Sequence, residues 1–302
     1  MSKEGVADIP EGYVLGSYRI IKKLGKGGYS CVYLVSRIAD AKKFAMKIED
    51  SNAVKKAINN EMTILSMIDC SYFPRLIEIG ETREFVFYTM PRLGISITDI
   101  RRKMPHKKFG ADIFIPIAEE TLKIIHVLHT LGFIHRDIKP SHFLLTPNYY
   151  QSPLCLIDFG FAKKHLNLST GAPYPKTSDN RFTGTKKYAS LHAHNGMNLG
   201  RCDDLISWFY MIVELATQAV PWAGVSSHDL ISEHKQNISV SVLCFGLPKP
   251  FIDIYKYLCT LEYEDTPEYD LLFEYLEKAK HLTNVENTNA TWESLRSYDN
   301  DL

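Results

Sequence analysis

Only six of the 302 residues are cysteine, and no two stand in a C-x-x-C pair. Neither a zinc site nor a disulfide framework is suggested, and reduced thiols in an intracellular setting, cytosol or nucleus, are expected. An excess of one charge is lacking too: Lys plus Arg and Asp plus Glu number 35 each. That balance gives no basis for nucleic acid or an anionic membrane as the main partner. The longest apolar stretch, Trp208–Val213, is far short of the ~20 residues that span a bilayer. The opening MSKEGVADIPEG carries early charge and no apolar core, so no signal peptide is expected. Internal repeats, low-complexity tracts and a G-x-x-x-x-G-K-[ST] phosphate loop are all missing.

What is present is an ordinary globular composition, 45% hydrophobic and 23% charged, on a chain long enough for a two-lobed unit or two small domains. Residues 18–48 read as strands, and in KKFAMKIE the residues Phe44, Met46 and Ile48 alternate with Ala45 and Lys47. A helix follows, with Ser51 or Asn52 as its N-cap and Val54, Ile58, Leu65 and Ile68 on one stripe. Glu61 falls on that stripe. A carboxylate on an inward face needs a cation, and Lys47 is the candidate. More strands fill 73–90, ending in FVFYTM. Beyond the connector PRLG the chain turns helical: Ala118, Leu122, Ile125 and Leu128 form a stripe that stops at Gly132. The run DDLISWFYMIVELATQ is apolar nearly all round, which marks a buried central helix. The polar tail from 283 to 302 is expected to be poorly ordered beyond Trp292. A β-rich first ~90 residues and a larger helical part, joined by a short connector, imply two lobes with a cleft between them, where ligands bind.

Three stretches carry chemistry. Gly25-Lys26-Gly27-Gly28-Tyr29-Ser30-Cys31-Val32 fits G-x-G-x-x-[G]-x-V with Ser30 in the last glycine slot, and glycines let backbone N–H groups approach phosphates. Ala45-Met46-Lys47 lies fifteen residues past Val32, so Lys47 can reach the α- and β-phosphates and pair with Glu61. HRDIKPSHFLL is followed by CLIDFGFAKK, placing Asp137 and Asp158 twenty-one residues apart.

Together these resemble protein kinases, and the match is closest to the casein kinase I group. That group's loop reads HRDIKPxNF, GTKKYASLHAH is similar to its GTxRYASINxH, and RCDDLISWFYMIVE is similar to its R-x-DDL-E/W-S-L-x-Y segment, most like tau-tubulin kinases. The usual Ala-Pro-Glu is absent, as it is throughout that group. The resemblance implies an α+β, two-lobed protein-kinase fold. It divides the chain into an N-terminal extension 1–17, a kinase domain 18–282 (N-lobe 18–90, hinge 91–94, C-lobe 95–282) and the tail. It also implies transfer of the ATP γ-phosphoryl group to serine or threonine hydroxyls of proteins. By that resemblance, Asp137 orients the acceptor hydroxyl, Lys139 neutralises charge on the transferring group, and Asp158 binds Mg²⁺. Arg136 holds the loop, and Asp204 accepts hydrogen bonds from its backbone. Leu24, Gly25, Gly27, Ser30, Val32, Ala45, Met90, Pro91 and Leu93 would surround the nucleotide. Basic residues in the activation segment, Lys176, Arg181, Lys186 and Lys187, suggest acidic or already phosphorylated protein substrates. A monomer is expected.

Besides Ser30, one letter of the catalytic loop departs from the pattern. His142 stands where the family has a metal-binding asparagine. Mg²⁺ prefers oxygen ligands, whereas imidazole nitrogen suits softer ions and tolerates Mn²⁺. The histidine could also donate an N–H within its own loop. The expected loss is on the order of 10²–10³ in rate, or about 2.7–4 kcal/mol. Because Lys47, Glu61, Asp137, Lys139 and Asp158 all survive, an impaired enzyme is expected rather than a pseudokinase scaffold that only binds nucleotide.

Overall fold

The alternating residues of the first part of the chain build one antiparallel sheet. Its strands are β1 (Val14–Leu15), β2 (Tyr18–Lys26), β3 (Ser30–Arg37), β4 (Lys43–Asp50), β5 (Glu78–Glu81) and β6 (Phe85–Pro91), in the order β1-β2-β3-β4-β6-β5. A computed structural model describes residues 8–28, 30–52, 57–147, 151–177, 181–285 and 288–299. Each face of the sheet meets a different core. Tyr18, Ile20, Tyr33, Val35, Met46, Ile48 and Phe87 pack together on one side, while Ala45, Tyr88 and Met90 join helix α1 (Ala57–Met67) and the helical lobe on the other. The period-2 reading of KKFAMKIE therefore holds, but both faces of β4 are covered, and Lys47 is itself buried.

In α1 the residues Ile58, Glu61 and Leu65 are buried, with Ile68 just beyond its end. The described part of the helix begins at Ala57, and the stretch just before it, where a cap at Ser51 or Asn52 would act, lies outside the described residues; Ser51 donates its hydroxyl to the Arg83 carbonyl at 2.6 Å. Val54 and Tyr29 lie outside the described residues.

The large lobe contains α2 (Ile97–Lys103), α3 (Ala111–Thr130), α4 (Leu191–His194), α5 (Arg201–Thr217), α6 (His228–Asn237), α7 (Val240–Leu243), α8 (Pro250–Leu258) and α9 (Tyr269–Thr283). Two short ribbons lie near the cleft. β7 (Phe133–Ile134) pairs with β10 (Lys163–Lys164), and β8 (Phe143–Leu145) pairs with β9 (Leu154–Leu156). The predicted stripe of α3 is fully buried, and Gly132, at φ +85°, supplies the left-handed residue that ends it. Helix α5 is buried along almost its whole length, from Arg201 to Leu215. No helix among the described residues is long and apolar enough to cross a membrane.

The tail departs from expectation. A further helix, α10 (Thr288–Arg296), packs against α3, with Trp292 nearly buried and Leu295 fully so. Asp299 accepts the Ile95 N–H at 2.6 Å, and Lys103 donates to the Tyr298 carbonyl at 2.7 Å. Two large apolar side chains seven and ten residues from the end, spaced for one helix face, outweigh the polar composition of the segment.

Candidate active site

Lys47 sits at the centre of β4, in register with Val32 of β3 and Tyr88 of β6. From there its Nζ reaches Glu61 Oε2 at 2.5 Å and Asp158 Oδ1 at 2.9 Å. Burial pushes the Lys47 pKa down, but the two carboxylates outweigh it and hold the ammonium above its usual range. Glu61 is 1% exposed, and its second oxygen accepts the Phe159 N–H at 2.9 Å. One residue earlier on α1, Asn60 Nδ2 contacts the carbonyls of Phe159, Gly160 and Ala162 at 2.9–3.3 Å. The Phe159 ring is fully buried and lies edge-on to Phe73, with centroids 5.5 Å apart. Helix α1 and the segment after β9 are thereby locked together, which fixes Asp158 opposite Lys47.

The loop after β7 carries Asp137 and Lys139. Its backbone hangs on Asp204, whose two oxygens accept the N–H groups of His135 (2.6 Å) and Arg136 (2.8 Å). His129 Nε2 lies 3.0 Å from the same carboxylate. Burial would raise the Asp204 pKa, but hydrogen bonding to His129 outweighs it and holds the group below its usual value. This is the loop-bracing role expected of Asp204, and Arg136 braces as well, its Nε donating to Phe161 O at 2.6 Å. Arg136 adopts φ +67° and Asp158 φ +68°, sparsely populated values for residues with side chains, each held by these contacts.

Asp137 is 5% exposed. Lys139 Nζ donates to its Oδ2 at 2.7 Å and Thr185 Oγ1 to its Oδ1 at 2.7 Å, while Lys139 also reaches Thr185 Oγ1 at 3.1 Å. Thr185 belongs to this set although sequence reasoning gave it no role; it sits inside GTKKYAS, where its position after a glycine was the available signal. Gly184, at φ +102°, lets the strand come this close, because a Cβ there would stand 2.6 Å from the Arg136 carbonyl.

His142 ends a 3-10 turn, Pro140–His142, directly before β8. Its ring does not brace its own loop. Nε2 lies 3.2 Å from Asp158 Oδ2 and 3.9 Å from Asp137 Oδ2, while the buried Nδ1 has no hydrogen-bond partner among the described residues. The imidazole thus stands between the two aspartates. Burial would raise the Asp158 pKa, but Lys47 and then His142 hold its carboxyl well below the usual range. His135, buried beside His142, is pushed down to about 4 by desolvation and by its neighbour.

The nucleotide side is formed by the sheet. The turn between β2 and β3 places Gly25 opposite Val32, and the Gly27 N–H meets Ser30 O at 2.7 Å. Ala45 pairs with Met90 across β4 and β6, and Phe44 with Pro91. Ala45 and Met90 are buried, Val32, Pro91 and Leu93 half-buried, and Leu24 exposed. Below them Leu144 of β8, half-buried and bridged to Ser96, faces the hinge side and was not singled out from the sequence. Of the basic residues in the activation segment, Lys187 pairs with Glu214 at 2.9 Å and Lys176 with Glu264 at 3.0 Å. Arg181 lines a polar pocket of about 170 Å³ with Arg136, Lys163, Thr177, Thr183 and Asn198.

Comparison with known proteins agrees with this geometry. The protein kinase domain family matches residues 18–251. A probable serine/threonine-protein kinase of Dictyostelium discoideum is 32% identical over 261 residues, which cover 86% of this chain and 52% of that protein. The chain thus spans about half the length of that relative. With the two-lobed fold, the Lys47–Glu61 pair and the two cleft aspartates in place, the chain belongs to the protein kinase domain family, whose members use ATP and a divalent metal ion.

Proposed function

We propose that this chain is a serine/threonine protein kinase of the casein kinase I group, most like tau-tubulin kinases, that transfers the ATP γ-phosphoryl group slowly. The observation that carries this is the closed set of Asp137, Lys139 and Thr185, all linked at 2.7–3.1 Å, beside a Lys47–Asp158 pair at 2.9 Å. Asp137 accepts or orients the proton of an incoming hydroxyl. Lys139 swings from Asp137 to the γ-phosphoryl oxygens, and Lys47, aligned by Glu61, holds the α- and β-phosphates. Catalysis is positioning plus charge stabilisation, and alignment alone supplies roughly 7–11 kcal/mol.

Asp158 would hold a divalent ion, which would supply neutralisation of phosphate charge. His142, whose Nε2 lies 3.2 Å from the same carboxylate, would offer that site a nitrogen. Mn²⁺ accepts this ligand better than Mg²⁺ does. Acidic or already phosphorylated protein substrates fit the pocket lined by Arg136, Lys163 and Arg181. The working form is a monomer of the cytosol or nucleus.

Incubation of the purified chain with labelled ATP and casein, in Mg²⁺ and separately in Mn²⁺, tests the reading. Slow transfer, faster in Mn²⁺, is expected. No transfer with either ion, together with a thermal shift on adding ATP, would mark a nucleotide-binding scaffold, the reading that the His142–Asp158 contact favours.

A further inference from the structure

Lys235 is the most unusual cation in the molecule. It lies on α6, far in sequence from the catalytic loop, and is only 2% exposed. Its Nζ donates to the carbonyls of Lys186 (2.8 Å) and Ala189 (2.6 Å) and lies 3.2 Å from His194 Nε2. The rings of Tyr210 and Trp222 stand 5.1 and 5.0 Å from it. None of these partners is a carboxylate. Desolvation pulls its pKa down to about 7, a measure of how strongly burial opposes a cation there. His194 is pushed down to about 4, by burial first and then by Lys235 and His228; its Nε2 also lies 3.2 Å from Lys186 O, so the neutral ring accepts from the ammonium in one tautomer and donates to that carbonyl in the other.

The carbonyls that Lys235 caps belong to the turn that begins at Thr185. The N–H groups of Tyr188 and Ala189 both donate to Thr185 O, at 2.9 and 3.0 Å. Its outward-facing carbonyls are taken up from the large lobe: Trp222 Nε1 holds Lys187 O at 2.8 Å, and Lys235 holds the two on either side of it. The side chains of Lys187 and Tyr188 reach Glu214, which also takes Arg101 at 2.9 Å. No Ala-Pro-Glu sequence is present to fasten this stretch to the lobe. Lys235 alone of these anchors grips both ends of the turn, one of them adjacent to Thr185, whose hydroxyl lies on Asp137. A side chain with three rotatable donors and a charge that faces two rings is suited to that task, because an uncapped buried carbonyl is costly.

We propose that Lys235 is a positioning residue: it fastens the 185–189 turn to the large lobe and so sets Thr185 against Asp137 for protein acceptors. The proposal rests on the phosphotransfer reading for its consequence, but not for its geometry. Two readouts on the full chain separate them. In Lys235→Met, amide exchange at Tyr188 and Ala189 should quicken about tenfold while the sheet of the small lobe is unchanged. In the same variant kcat/KM for casein should fall about tenfold, with KM for ATP within about twofold of the parent. Lys235→Arg, which keeps charge and donors, should recover most of both. If Lys235→Met does not fold, Lys235→Gln, which keeps N–H donors without the charge, is read the same way, with about threefold changes expected. Unchanged exchange at the two amides overturns the proposal. So does quickened exchange with no change in transfer to casein, and so does a loss matched by an equal rise in KM for ATP. A parent protein that transfers nothing would refute the phosphotransfer reading, and the exchange rates would still decide whether Lys235 anchors the turn.

Discussion

Two aspartates face the cleft, and they keep different company. Asp137 is satisfied by a lysine and a threonine, all three within one hydrogen-bonded set on the large lobe. Asp158 is shared between lobes, with Lys47 of the sheet on one oxygen and His142 on the other. The acceptor side is therefore complete as it stands. The phosphate side does two jobs, because the Lys47–Glu61–Asp158 cluster also ties α1 to the large lobe. His142, standing where the family has asparagine, touches the Asp158 side, so the impairment we propose would fall on metal binding rather than on acceptor alignment.

The sharpest way to break this contrast is Asp137→Asn. It should lower kcat on the order of 10²–10⁴ while leaving KM for ATP and stability nearly unchanged, measured by steady-state transfer and urea unfolding. Lys47→Met should behave differently. It leaves Glu61 buried without its cation, so beyond abolishing transfer it should cost about 3–5 kcal/mol in urea unfolding. If both variants proved equally stable, the claim that only the phosphate side is structural would fail. Leu295→Ala, far from both aspartates on α10, should cost about 2–4 kcal/mol in stability without altering the ratio of Mn²⁺ to Mg²⁺ rates. A changed ratio would mean that the tail reaches the metal side. Thr185→Ala should reduce transfer to casein about tenfold, with Thr185→Ser close to the parent, as for loss of one hydrogen bond to a charged group. The smallest effect concerns pH. Asp158 is held below the usual carboxylate range, so its stabilising contribution is complete above its unfolded pKa, about 3.9, and is lost as pH falls through its folded value. Asp158→Asn should flatten stability against pH on that acid side, and an unaltered acid limb would contradict the pairing.

Much of this was legible in the letters because it rests on short periodicities. Alternation located β4, the helical stripe located α1 and α3, and an inward Glu61 demanded the cation that Lys47 supplies. That Asp137 and Asp158 share one cleft was implied by the resemblance of HRD and DFG to protein kinases, not by periodicity. Other features depend on contacts across long separations and could not be read that way. Thr185 meets Asp137 forty-eight residues away, and Lys235 meets Ala189 forty-six away. The Ser51 hydroxyl likewise meets the Arg83 carbonyl, thirty-two residues away. The tail was misjudged because its polarity hid two apolar residues on one face and an aspartate whose partner, Ile95, lies 204 residues earlier in the sequence. For His142 the letter raised the question, and only the 3.2 Å contact with Asp158 shows which way the ring turns.

The most direct test of the impaired metal side is the steady-state rate of casein phosphorylation in Mg²⁺ by the parent and by His142→Asn. An oxygen ligand in place of the imidazole should raise kcat on the order of 10²–10³ and shrink the advantage of Mn²⁺. A variant that is slower than the parent in Mg²⁺, with ATP binding intact, would contradict the account.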